Sequence, residues 1–178
     1  MHRTVLFGDR ELTLEGKHRE AGDKAPEFTV VDENLEEVSS DEFADKIRII
    51  SVFPSIDTSV CALQTKHFYK KISRLGDDVV LLSISADLPF AQKRFCAAEG
   101  IENGHVYSDY REMDFGRKYG FILKELRLLS RGIVVIDRKG IIRYIEYAPQ
   151  VREHVDYDRA MDAVKELLEE AGAAEKTA

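Results

Sequence analysis

The sequence has little cysteine: Cys61 and Cys96 are the only two among 178 residues. Two cysteines are too few for a disulfide framework, and in a reducing compartment such a pair is more often catalytic, redox-active or incidental than structural. The chain also lacks any run near the ~20 apolar residues that a membrane-spanning helix needs. Residues 1–10 lack the uninterrupted apolar core of a signal peptide. We therefore expect a cytoplasmic protein that makes no contact with a membrane.

Other absences exclude further function classes. Acidic residues exceed basic ones, for a net charge of −7, and no Lys/Arg stripe is interleaved with aromatic side chains. Binding to nucleic acid is therefore disfavoured. No glycine-rich loop could cradle a phosphate, and the two cysteines are too far apart for the Cys-x-x-Cys spacing of metal sites. We expect no nucleotide or other cofactor and no metal.

The best candidate for a chemical site is a strand that runs directly into a helix, at residues 47–75. Residues 47–53 form a β-branched apolar run typical of a buried central strand, and Pro54 ends it because proline has no N–H to donate. Apolar residues then recur at helical spacing, which predicts a helix that begins near Ser59. Cys61 lies in its first turn. Unpaired N–H groups and the helix dipole favour an anion there, so the thiol should ionise more easily than a free one.

Thr58 lies three residues before Cys61, and its hydroxyl can both donate to and accept from a ligand at the sulfur. A plainer interpretation is that Thr58 or Ser59 only caps the helix and that Cys61 is a small buried hydrophobe. The local pattern leaves both interpretations open, since the turns between strands and helices are also where α/β proteins keep their sites.

The remaining segments predict one α/β domain over residues 1–178, with a β-hairpin at 1–17 and a frayed tail at 172–178. Between them we predict a hairpin at 28–38, a strand at 79–84, a helix from 87 that contains Cys96 and ends at Gly100, a short strand at 106–107, a short helix at 113–119, a hairpin of 133–136 with 141–145, and an amphipathic helix at 157–171. A βαβ unit followed by a hairpin and a final helix is the thioredoxin-like fold, a central mixed sheet flanked by helices.

The spacing Pro54-x-x-x-Thr58-x-x-Cys61 resembles the active-site signature of the peroxiredoxins. The runs Pro-Ser-Ile-Asp-Thr at 54–58 and Ser-Ala-Asp-Leu-Pro-Phe-Ala-Gln-Lys-Arg-Phe-Cys at 85–96, with the N-terminal hairpin, are similar to the bacterial thiol peroxidase subfamily of atypical two-cysteine peroxiredoxins. This resemblance covers nearly the whole chain. It implies that Cys61 is the peroxidatic cysteine, Cys96 the resolving cysteine and Arg131 the active-site arginine. It also implies a hydroperoxide substrate, thioredoxin as reductant and a homodimer.

The residue types suit that chemistry. A thiolate that attacks a hydroperoxide pushes charge onto the departing oxygen, so the site needs an ionised sulfur and donors aimed at the peroxide. Thr58 and helix-end N–H groups can donate, Arg131 is a cation that never titrates, and Pro54 would shield the sulfur from water. Cys96 would convert the Cys61 sulfenic acid into a disulfide. Bridging needs Cα atoms about 4.4–6.8 Å apart, so the site helix is expected to unwind locally.

Each of these residues also has a plainer role. Pro54 would merely end the strand, Arg131 would be a surface charge or an ion-pair partner, and Cys96 would be an inert cysteine that faces the core. At the level of function, one alternative is a redox sensor or chaperone-like binding module that uses the same disulfide switch. Another is a thiol–disulfide oxidoreductase that acts on proteins, but that chemistry favours a Cys-x-x-Cys turn, which the chain lacks.

Overall fold

The secondary structure alternates between strands and helices along most of the chain. The computed structural model describes residues 2–101 and 104–177, with side chains as far as Gly172. Its elements are β1 (Arg3–Phe7), β2 (Arg10–Glu15), β3 (Thr29–Val31), β4 (Glu37–Ser39), a 3-10 helix (Ser40–Phe43), β5 (Ile47–Val52), α1 (Ser59–Ile72), β6 (Val79–Ser85), α2 (Pro89–Glu99), β7 (His105–Ser108), α3 (Asp114–Tyr119), β8 (Ile122–Leu123), β9 (Leu128–Leu129), β10 (Gly132–Ile136), β11 (Ile142–Tyr147) and α4 (Tyr157–Thr177).

The central sheet of the described residues has the strand order β11-β10-β5-β6-β7-β3-β4. Strand β5 runs parallel to β6 and antiparallel to β10, and all of its residues are buried. Side chains alternate across a strand, so Ile47 and Ile49 pack on one face of the sheet while Ile50 and Val52 pack on the other. The strand that leads to Cys61 is therefore held on both faces and both edges.

Two apolar layers cover the sheet. Helices α1 and α4 cover one face through Phe68, Ile72, Val164 and Leu167. The opposite layer is rich in aromatic side chains from the segments around α3 and β3, which are Phe28, Phe115, Tyr119 and Phe121. The layer under α1 and α4 supports the helix that carries Cys61, because removing those side chains from water stabilises the helix against the sheet.

The N-terminal hairpin belongs to a second sheet, with the strand order β1-β2-β8-β9. Its strand β1 also binds a loop that follows β11. The Leu6 N–H donates to the Pro149 carbonyl at 2.8 Å, and the Val151 N–H donates to the Leu6 carbonyl at 2.7 Å. Leu12 and Leu14 pack with Val151 in the same apolar cluster. The hairpin therefore fixes the position of the backbone at Val151.

The thioredoxin-like α/β fold is confirmed, as are the start of α1 and the end of α2, where Gly100 takes a left-handed φ of 66°. Strands β8 and β9 were not predicted, because two residues are too few to show alternation. Helix α4 continues to Thr177 rather than ending near 171. The single domain over 1–178 and the frayed tail at 172–178 stay predictions, and Ala178 lies outside the described residues.

Candidate active site

The turn between β5 and α1 places Thr58 beside the helix start without using its side chain as a cap. Thr58 is the residue before α1 and has extended backbone angles, but its hydroxyl makes no capping bond to the first turn. The hydroxyl donates instead to the Ser55 carbonyl at 3.0 Å, and the side chain is exposed. Its oxygen lone pairs are therefore available to a ligand at the helix start.

Cys61 lies in the first turn of α1 and is fully buried. It packs in a small apolar cluster with Phe53 and Ile56, against which Phe95 of α2 also packs. Pro54 is buried beside this cluster. These side chains exclude water from the sulfur, while the N–H groups at the start of α1 and the helix dipole favour negative charge there.

Arg131 lies directly before β10 and is also buried, at 2 % exposure. It donates hydrogen bonds through three nitrogens. Its Nη2 donates to the Cys61 sulfur at 2.9 Å, and its Nε donates to the Val151 carbonyl at 2.7 Å. Its Nη1 donates to Gln64 Oε1 at 2.6 Å. No carboxylate is among these partners, so the positive charge of the guanidinium is directed at the sulfur.

Gln64 is a part of this arrangement that sequence reasoning missed. Its side chain is fully buried, and its amide nitrogen donates to the Ser51 hydroxyl at 2.6 Å and to the Val52 carbonyl at 3.3 Å. Residues three apart share one face of a helix, which brings Gln64 to the same side of α1 as Cys61. The available signal was a polar residue between Cys61 and Phe68 on the buried face of a helix.

Cys96 lies on a different helix, α2, and is half-buried. It lines a cavity of about 260 Å³ that also contacts Glu33, in the turn between β3 and β4, and Tyr107. Burial, and secondarily the negative charge of Glu33, raises the pKa of the Cys96 thiol. Its neighbour Phe95 packs against the Cys61 cluster. Successive side chains on a helix point about 100° apart, so the Cys96 thiol lies on a different side of α2 from Phe95.

The structure thus brings Thr58, Cys61 and Arg131 together, with Pro54 in the turn between β5 and α1. It places Cys96 on the adjacent helix, and neither thiol is in a disulfide. Within residues 2–101 and 104–177, no cluster of three or more His, Cys, Asp or Glu side chains could hold a metal ion. The same residues contain no helix that is both long and apolar enough to cross a membrane.

Several known proteins are similar to this chain over most of its length. The Redoxin family model matches residues 20–164. A thiol peroxidase of Listeria innocua is 51% identical over 161 residues, which cover 90% of this chain and 97% of that protein. A thiol peroxidase of Bacillus subtilis is 44% identical over 164 residues, which cover 92% of this chain and 98% of that protein.

Solved structures are similar over the same extent. A peroxiredoxin-like protein from Aquifex aeolicus has a TM-score of 0.85 and 37% identity, with 93% of this chain and 97% of that chain covered. A thiol peroxidase from Chromobacterium violaceum has a TM-score of 0.80 and 25% identity, with 98% of each chain covered. The chain therefore belongs to the Redoxin family, within the group whose members are named thiol peroxidases.

Proposed function

We propose that this chain is a thiol peroxidase that reduces hydrogen peroxide and organic hydroperoxides and serves in antioxidant defence. The observation that carries the proposal is the hydrogen bond of 2.9 Å from Arg131 Nη2 to the Cys61 sulfur, at the start of a helix and away from bulk water. A cation and unpaired N–H groups directed at the sulfur can stabilise the negative charge of the attacking group and of the reaction's transition state.

In the first step, the Cys61 thiolate attacks the terminal oxygen of the hydroperoxide. A sulfur–oxygen bond forms, the oxygen–oxygen bond breaks, and the departing alkoxide or hydroxide takes up a proton to leave as alcohol or water. Cys61 is oxidised to the sulfenic acid. Arg131 and the N–H groups at the start of α1 stabilise the charge that develops on the oxygens, and the exposed Thr58 hydroxyl orients the peroxide.

In the second step, Cys96 attacks the sulfur of the Cys61 sulfenic acid. Its thiolate displaces hydroxide, which leaves as water after protonation, and an intramolecular disulfide forms. The Cys96 thiol lines a separate cavity on α2, so in this proposal α1 and α2 open locally before it approaches Cys61. Pro54 contributes by ending β5 and by keeping water from the sulfur.

In the proposed cycle, thioredoxin reduces this disulfide and the protein works as a homodimer in the cytoplasm. The sequence resemblance supports these three points.

An assay of peroxide consumption, with and without a thioredoxin system, tests the function. Many peroxide equivalents per protein are expected with the system, and one equivalent without it. A protein that forms the disulfide but is not turned over by any thioredoxin would instead be a redox sensor, and size-exclusion chromatography with light scattering tests the dimer.

A further inference from the structure

The carboxylate of Asp87 connects the turn before α1 to the start of α2. It lies two residues after the end of β6 and is half-buried. One carboxylate oxygen accepts from the Ser55 hydroxyl at 2.7 Å. The other accepts from the Ile56 N–H at 2.7 Å and from the Ser85 hydroxyl at 2.6 Å. Hydrogen bonds to a charged acceptor are stronger than those between neutral groups, so this carboxylate restrains the turn firmly.

The turn that Asp87 restrains is the one that carries Thr58. The Ser55 carbonyl accepts from both the Thr58 hydroxyl, at 3.0 Å, and the Thr58 N–H, at 3.3 Å. The Ser55 hydroxyl accepts from the Asp57 N–H at 3.2 Å. Displacement of Ser55 would therefore move Thr58 and the first turn of α1, which holds Cys61.

The same carboxylate is linked to the helix that carries Cys96. The Ser85 hydroxyl, which donates to Asp87, accepts from the amide of Gln92 at 3.0 Å. That amide also donates to the Tyr107 carbonyl at 2.7 Å, and the Gln92 side chain is buried. Gln92 lies one turn before Cys96 on α2, so it is a neighbour of Cys96 on the helix surface. A continuous chain of hydrogen bonds thus joins the two cysteine-bearing segments.

We propose that Asp87 is a positioning residue that couples the two halves of the catalytic cycle. It holds the turn before α1 in the geometry for attack on the peroxide, and it resists the unwinding that disulfide formation requires. The inference rests on the proposed function of the two thiols. Its signature is a pair of opposite effects: loss of the carboxylate slows oxidation of Cys61 and speeds formation of the disulfide.

The test compares Asp87→Ala with Asp57→Ala as a matched control. Asp57 is in the same turn, but its side chain is mostly exposed, and its ion pair with Arg94, at 3.6 Å, is on the surface. Samples are mixed with peroxide, quenched with acid at successive times and analysed by mass spectrometry. In Asp87→Ala we expect the rate of Cys61 oxidation to fall about tenfold. This factor corresponds to the free energy of one hydrogen bond to a charged group. Conversion of the sulfenic acid to the disulfide should speed up by a similar factor, and less sulfinic acid should accumulate in excess peroxide.

Asp87→Asn should give intermediate rates in both steps, since its amide oxygen keeps only part of the carboxylate's accepting capacity. Asp57→Ala should match wild type. If both rates of Asp87→Ala are unchanged, or both fall by one common factor, the inference is wrong. If Asp87→Ala does not fold, Asp87→Asn and Ser55→Ala are measured in its place with the same criteria.

Hydrogen–deuterium exchange of the reduced proteins separates this inference from the proposed function, because it needs no peroxide. Amides at 55–61 and at 89–96 should exchange faster together in Asp87→Ala and should be unchanged in Asp57→Ala. Faster exchange in only one of the two segments, or in neither, would overturn the coupling. A wild-type protein that does not consume peroxide would refute the peroxidase function while the exchange result still decides whether Asp87 joins the two segments.

Discussion

Arg131 and Gln64 are joined by a hydrogen bond of 2.6 Å between Nη1 and Oε1, and both side chains are withdrawn from solvent. The amide of Gln64 is in turn held by Ser51 and the Val52 carbonyl on β5. The plane of the guanidinium is thereby fixed relative to α1, and its Nη2 is directed at the Cys61 sulfur. The reactivity of Cys61 should therefore depend on the planar shape of the guanidinium as well as on its charge.

Arg131→Lys should lower kcat/KM for peroxide by about tenfold or more. An ammonium cannot reproduce the planar fork that reaches the Cys61 sulfur, Gln64 and the Val151 carbonyl at once, and one hydrogen bond to a charged group is worth about that factor. Arg94→Lys is the matched control, because Arg94 is mostly exposed on α2. Activity of Arg131→Lys within about twofold of wild type would count against the role of Arg131.

Cys61→Ser should abolish peroxidase turnover, because a serine hydroxyl is not ionised near neutral pH and cannot replace the thiolate. The measurement is peroxide consumption coupled to a thioredoxin system. Circular dichroism should show an unchanged fold, since the two side chains are nearly the same size. If this variant kept most of the wild-type activity, Cys61 would not be the nucleophile.

Cys96→Ser should still consume one equivalent of peroxide, because the first attack uses no group from α2. The sulfenic acid should then persist and oxidise to sulfinic acid in excess peroxide, and thioredoxin-coupled turnover should stop. In wild type, mass spectrometry of non-reduced peptides should find a Cys61–Cys96 disulfide within one chain. Two free thiols, or a disulfide between chains, would contradict the intramolecular mechanism.

Glu33→Gln should lower the pKa of Cys96, because the Glu33 carboxylate adds to the effect of burial in raising it. The change should be smaller than the whole shift, since burial is the larger cause. Alkylation of Cys96 as a function of pH, in a Cys61→Ser background, measures it. Glu36→Gln alters another exposed carboxylate near this turn and should leave the alkylation profile unchanged.

The buried carboxyl group of Asp109 should make the free energy of unfolding depend on pH. It is 2 % exposed, and burial raises its pKa from 3.8 to about 7, although the N–H groups of Phe115 and Gly116 donate to it. Because the folded pKa lies above the unfolded one, the contribution is fully present below about pH 4. It is lost as pH rises to 7 and amounts to on the order of 4 kcal/mol in total.

Urea unfolding of wild type and Asp109→Asn at pH 4 to 8 tests this contribution. The asparagine cannot ionise, so comparison of the two proteins isolates the titration of Asp109 from that of the other carboxylates. The stability of wild type relative to the variant should fall between pH 4 and 7 and be constant above 7. A difference that is independent of pH would show that the Asp109 pKa is not raised.

Much of this fold could be predicted because its segments have strong local patterns. The run at 47–53, the helical spacing after Ser59 and the Gly100 helix end each have a physical cause within a few neighbouring residues. Strand β8 depends instead on pairing with β2, and β9 on pairing with β8, which no local pattern of two residues reveals.

The candidate site also combines residues that a local pattern reveals with residues that depend on distant contacts. Thr58 and Cys61 could be selected from spacing, because both belong to one turn of chain. The contact of Arg131 with Cys61 spans 70 positions and follows from the pairing of β10 with β5. Gln64 was missed because its role depends on its burial and its partners, which the sequence does not show. The same amide would be an ordinary polar group on a helix surface, but here it orients Arg131 through hydrogen bonds to Arg131 and Ser51.

The bond from Arg131 to the Val151 carbonyl has a consequence for recovery after each turnover. That carbonyl belongs to the loop held by β1, and neither the loop nor β1 is part of α1, the helix that unwinds in the proposed cycle. In the proposed cycle, opening of the first turn of α1 takes the Cys61 sulfur away from Arg131, while the bond to the Val151 carbonyl is kept. The guanidinium would then keep its position, so that reduction of the proposed disulfide returns Cys61 to a cation that is already in place.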